Sequence, residues 1–244
     1  MAKQKKHGAS KSKPRAKTAK RTKPALVARV RRRVPGPQEI ARDIDRRIAA
    51  YTKSLAKPKK RKAGLTFAAA GAKTLNLVAH GDSWFNYPVS YDAHPFTDIT
   101  VWLKEKFLPK GTKILVLAHF GDAMQDSFGT TKRNLLIKAL QAGKADAILF
   151  SGGGNDIIGE NFHLYLNNAA DVGNNAALAV NEAALQTILA FITTYYRELV
   201  AIRDTYAPGI PIFLHGYDFA RPTNQGVMGC LVGPWLYPAL HARG

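Results

Sequence analysis

The stretch Leu75-Asn76-Leu77-Val78-Ala79-His80-Gly81-Asp82-Ser83-Trp84 decides how this chain is read. Its apolar half is too short for a helix and runs straight into a glycine-containing turn, which predicts a buried strand over 75–80. The pattern recurs downstream. Apolar runs at 113–120, 146–151 and 210–215 predict three more strands, and helical spacing over 96–108, 131–141 and 176–206 places helices between them. Strands alternating with helices predict an α/β fold, a three-layer αβα sandwich around a parallel sheet. Ligands of such sheets collect at the carboxyl ends of the strands, so the residues just after each strand are the place to look for chemistry.

Upstream of that alternation the composition changes. The chain has 244 residues, 46% of them hydrophobic, enough for one substantial core, and carries a formal charge of +19. Residues 1–62 hold 23 of the 36 Lys and Arg against three acids, Glu39, Asp43 and Asp45. The other 182 residues are nearly neutral, with 13 bases and 14 acids. The sequence therefore divides into a basic tail over 1–33, expected to be disordered, a segment over 34–63, and a globular domain over 64–244. Within the middle segment Ile40, Ile44, Ile48, Tyr51 and Leu55 recur at helical spacing, an amphipathic helix that ends before Pro58 and packs on the domain or on a partner, or as a basic helix lies on a membrane surface; Lys57 to Lys62 then reads as a linker.

The tail would attract any polyanion nonspecifically, but it lacks the interleaved aromatics that stack on bases. No apolar signal segment opens the chain and no run approaches the roughly 18 apolar residues of a membrane span, so the expectation is a cytoplasmic protein without a transmembrane segment. An arginine-rich, acid-poor start also suits an organelle transit peptide. A single cysteine, Cys230, excludes an intramolecular disulfide and a zinc site built on several cysteines. Neither a metal nor a cofactor is called for, and nothing in the sequence sets the oligomeric state.

Three turns follow the first three strands: His80-Gly81-Asp82-Ser83-Trp84, then Gly121-Asp122, then Gly152-Gly153-Gly154-Asn155-Asp156. Each alone is an ordinary glycine turn. In this order and at these positions they resemble the SGNH hydrolase family, the GDSL esterases and lipases, over about Thr74 to His215. The resemblance implies a flavodoxin-like parallel sheet and a serine hydrolase acting on small-molecule carboxylic (acyl or acetyl) esters through an acyl-enzyme. It assigns Ser83 as nucleophile, with the Ser83 N–H, the Gly121 N–H and the Asn155 side-chain amide as the oxyanion hole.

The residues themselves agree with that chemistry. A serine on a tight turn at a strand end can present Oγ to a cleft, as acyl transfer requires, and a tetrahedral intermediate needs donors aimed at its oxyanion. Read singly, Ser83 is a helix cap, Gly121 a strand exit and Asn155 a loop cap. Asp82 and Asp156 are expected to hold their turns by hydrogen bonds. Trp84, Phe85 and Tyr87 either line a pocket or belong to the core, and 160–175 is a candidate lid or a surface loop.

One family feature is missing. The general base of the family comes from a late Asp-x-x-His block, and no Asp stands three residues before any of the seven histidines. Only 29 residues follow the fourth predicted strand, too few for the family's fifth strand and final helix, so the resemblance implies a chain truncated at its C-terminal end. His215, at the end of that strand, is the candidate substitute base, against a purely structural hydrogen-bonding role; His80 and His119 also end strands. Two other classes stay open: a catalytically impaired binding module with this fold, and a polyanion-binding protein working through its tail. A metal-dependent phosphoesterase using Asp92, Asp122 and Asn155 is disfavoured, because Asp156 stands where that chemistry wants a histidine.

Overall fold

The computed structural model of the protein describes residues 37–56, 74–87, 98–173, 175–217, 221–226 and 233–244. The predicted tail, the linker after the first helix, Asp92, His94 and Cys230 lie outside the described residues. Residues 37–244 form one compact unit.

The fold is α/β. Four parallel strands, β1 (Asn76–Gly81), β2 (Lys113–Val116), β3 (Ala147–Ser151) and β4 (Ile212–Leu214), lie in the order β2-β1-β3-β4. Val78 stands opposite Leu115 on one side and Ile148 on the other. β1 and β3 are therefore central, and their near-continuous apolar sequences match their burial on both faces. β4 is an edge, with Phe213 and Leu214 more than half exposed. The strand order reverses between β1 and β3, and the crevice outside their carboxyl ends is the expected ligand site of such a sheet.

One face of the sheet, carrying Val78, Leu115, Ile148 and Phe150, packs against α1 (Pro37–Ala56), α4 (Thr130–Gln141) and α7 (Glu182–Tyr206). Ile44 and Ile48 of α1 are buried there, as their helical spacing requires, and Arg47 donates to Val116 O at 3.2 Å. α1 is thus built into the core of the unit. Leu77, Ala79, Ala147 and Leu149 form the other face, covered by Ile99 and Leu103 of the segment that starts as α2 (Ile99–Trp102) and widens into a π turn over Leu103–Phe107. Two short helices, α3 (Met124–Ser127) and α5 (Gly154–Ile157), are the first helices after β2 and β3. Short helix α6 (Ala169–Val172) and the terminal α8 (Tyr237–Arg243) complete the set.

The structure moves several predicted boundaries. Strand pairing in β2 stops at Val116, although Leu117 and His119 still donate to Ala79 O and Gly81 O at 2.7 and 2.9 Å. α7 begins at Glu182 because Asn181 caps it, its side chain accepting from the Ala184 N–H; the predicted residues 176–178 form a separate 3₁₀ turn. β4 spans three residues rather than six. The candidate lid over 160–175 is pinned, not open: it holds a 3₁₀ turn (Glu160–Tyr165) and α6, and Asn167 Nδ2 donates to Leu178 O and Val180 O.

Candidate active site

The turn after β1 is set by Gly81 and Asp82. Gly81 has φ +126°, and a Cβ there would lie 1.7 Å from Ser151 O, so only glycine lets β1 end this close to β3. Asp82 is 2% exposed and its carboxylate accepts three donors. Ser151 Oγ donates to Oδ1 at 2.5 Å, the Trp84 N–H to Oδ1 at 3.1 Å, and the Tyr217 hydroxyl to Oδ2 at 3.2 Å. One buried carboxylate thus ties together the turn after β1, the end of β3 and the segment after β4. Burial and the neighbouring Asp82 push the Tyr217 phenol well above its ordinary pKa, which keeps it a neutral donor.

That bonding leaves Ser83 free. It is half-buried, and neither its Oγ nor its N–H has a partner among the described residues. The Gly121 N–H is likewise untaken there, on a backbone with φ +80° where an added Cβ would touch nothing. Asn155 lies in α5, and Nδ2 donates to Asp122 O at 2.9 Å. Its second N–H has no acceptor among the described residues. Beside it, Asp156 accepts the Met124 N–H with both oxygens at 3.0 Å, which staples the turn after β3 to α3; burial raises its pKa. Asp122 is in turn paired with Lys132, with His119 Nδ1 3.5 Å away.

A cavity of about 690 Å³ opens at this edge. Ser83 and Asn155 both line it, as do Trp84 and Tyr87, whereas Phe85 is buried in the core. Gly121 is not among its lining residues. The structure therefore brings two of the three expected oxyanion residues to one wall and leaves the third outside it.

His215 sits one layer away. Its Nε2 lies 2.8 Å from Ser151 Oγ and its Nδ1 3.0 Å from Gly216 O, and its ring packs against Trp84, Phe85 and Tyr217 at centroid distances of 5.4 to 5.8 Å. In this arrangement it serves Ser151, not Ser83. His80, by contrast, is a core residue: Nε2 bonds Ser127 O, the ring lies between Phe128 and Phe150, and burial drives its pKa down to about 4.

Sequence reading missed Ser151, Tyr217 and the cavity's other aromatic walls, Trp102 and Trp235. Ser151 could have been flagged as the last residue of a strand directly before the glycine turn. Among the described residues no group of three or more His, Cys, Asp or Glu is placed to hold a metal ion, and no helix is long and apolar enough to cross a membrane. No protein-family model matches the chain, and no curated protein matches it.

Proposed function

We propose that the protein is an ester hydrolase of the SGNH type, with a flavodoxin-like sheet, that acylates Ser83. The observation that carries this reading is the shared cavity: a serine with an unpartnered Oγ and N–H, and an asparagine with a spare amide N–H, face one 690 Å³ space at the switch point of a parallel sheet. Attack by Oγ on the ester carbonyl would move negative charge onto the carbonyl oxygen, where the Ser83 N–H and Asn155 Nδ2 are the donors at hand. Gly121, outside the cavity's lining, would have to shift with its turn to join them.

The hydroxyl proton must also leave. His215 would have to exchange its Ser151 bond for one to Ser83 to accept it; the same proton would then go to the alcohol oxygen as the ester C–O bond breaks, and attack by water on the acylated Ser83 would release the acid and restore the hydroxyl. Without a base in place Ser83 Oγ would attack as a neutral hydroxyl, and loss of the base from such a unit costs up to about a millionfold in rate. Activated esters with good leaving groups are therefore the substrates this arrangement can turn over.

A second reading rests on that same unpartnered Ser83 Oγ: a binding module that holds an ester-sized ligand without cleaving it. Hydrolysis of 4-nitrophenyl acetate by the wild type and by Ser83→Ala, both verified as folded, separates the two. Activity that disappears with Ser83, together with an acetyl mass increment on the Ser83 peptide, supports the hydrolase. Equal rates in the two proteins reject it and leave the binding module.

A further inference from the structure

All three tryptophans of the chain, Trp84, Trp102 and Trp235, line the cavity that holds Ser83. They come from the turn after β1, from α2 and from the segment before α8, so no local pattern groups them. Each remains 41 to 47% exposed. Tryptophan is among the most buried side chains on average, and leaving three indoles half in water at one opening forgoes burial that the rest of the core takes up. A ligand that covers them recovers it.

The polar groups of the same wall say what kind of ligand. Arg221 has no hydrogen bond or ion pair among the described residues, Asp98 included, although both line the cavity. Asp98 spends Oδ1 on the Val101 N–H and the Thr100 hydroxyl and caps α2. Gln225 also lines the wall. Lys106 stands 5.8 Å over the Trp102 ring, which already supplies that indole with a cation. Flat apolar faces edged with both donors and acceptors suit a body that is itself apolar on its faces and hydroxylated at its rim. A pyranose ring has that character, presenting C–H groups to an indole and hydroxyl groups around its edge. A long acyl chain asks instead for an aliphatic tunnel, and a quaternary ammonium for a cage free of other cations.

We infer that the cavity takes the carbohydrate part of a sugar ester, stacked on Trp102 and Trp235 with its acyl group toward Ser83. This rests on the proposed esterase reading for the placement of the ester, but the stacking can be tested without turnover. Because every tryptophan of the chain faces the cavity, intrinsic fluorescence reports on it directly. Full-length Ser83→Ala protein would be titrated with methyl 6-O-acetyl-glucopyranoside, which keeps three ring hydroxyls free, and, separately, with octyl acetate, which carries the same ester on an aliphatic alcohol.

The expected result is a saturable fluorescence change with the sugar acetate at least tenfold tighter than with octyl acetate. Trp102→Ala and Trp235→Ala should each weaken it about tenfold, and Trp102→Phe, which keeps a ring and the packing of α2, should recover part of the loss. Equal or tighter binding of octyl acetate, no saturable signal with the sugar acetate, or unchanged affinity in folded Trp variants would overturn the inference. Hydrolysis of 4-nitrophenyl acetate that survives Ser83→Ala would sink the esterase reading instead, and the sugar titration would still decide the stacking.

Discussion

Ser151 donates its hydroxyl proton to Asp82 across 2.5 Å, joining the end of β3 to the turn after β1. Both side chains are buried, so the bond is a charge-assisted one in a water-poor place; Asp82 shares its carboxylate with the Trp84 N–H and the Tyr217 hydroxyl, and Ser151 Oγ also meets His215 Nε2. Asp82→Asn keeps the shape but turns an amide N–H₂ toward Ser151 or Tyr217, each already a donor. It should cost about 3 kcal/mol or more, against about 1–3 kcal/mol for Ser151→Ala, which removes one donor and leaves two. Urea unfolding of the two variants checks the order. Midpoints equal to wild type in both would mean that the three strand ends are held together by something other than this carboxylate.

Gly81 and Gly121 both sit at positive φ, yet alanine should treat them very differently. At Gly81 the new Cβ meets Ser151 O at 1.7 Å, a backbone atom of the neighbouring central strand that cannot swing aside. Gly81→Ala should lose more than about 4 kcal/mol or fail to fold, because β1 and β3 must separate. At Gly121 the Cβ finds nothing within 4 Å, so only the left-handed backbone is strained. Gly121→Ala should cost about 1–2 kcal/mol. Thermal melts of the pair measure the gap between them, and a Gly81→Ala protein as stable as Gly121→Ala would contradict the close approach of the two strands.

The strands were legible in the sequence because each central one is an apolar run ended by a glycine turn, and β1 and β3 are buried on both faces as such runs demand. α1 was legible from five apolar positions at helical spacing. The start of α7 was not, because Asn181 lies in an asparagine-rich stretch where the capping residue carries no distinguishing mark. At the site, Ser83 and Asn155 were found by position after their strands, and both line the cavity. Ser151 was not found, because its partners stand 69 and 64 residues away in sequence and no local pattern encodes such distances. The same holds for Trp102 and Trp235, which only the packed chain brings near Trp84.

If Ser83 is acylated as proposed, Asn155 is the side chain whose loss should show in the rate rather than in binding. Asn155→Ala removes an oxyanion donor and should lower kcat by about a hundred- to a thousandfold with KM changed little. The bond from Nδ2 to Asp122 O ties the asparagine to the turn after β2, so its removal should also cost about 1 kcal/mol of stability. Steady-state kinetics on 4-nitrophenyl acetate, with folding checked by circular dichroism, read both effects. A variant that raises KM and leaves kcat intact would place Asn155 in ground-state binding.

His80 makes stability depend on pH in a direction that can be worked out. Burial lowers its pKa from 6.5 to about 4, while the bond to Ser127 O works weakly the other way. Between those two values the unfolded chain binds the proton and the folded one does not, so stability rises with pH across that window. The contribution is fully present above pH 6.5 and is lost as pH falls to about 4, an amount on the order of 3 kcal/mol. Asp156, whose pKa is raised by burial, contributes with the opposite sign, so a single pH profile mixes the two. Comparing wild type with His80→Asn cancels Asp156 and isolates the histidine. Urea midpoints taken from pH 4 to 7 should converge toward the acid end and separate above pH 6.5, with wild type the more stable; parallel profiles would mean that the imidazole takes up its proton inside the folded core.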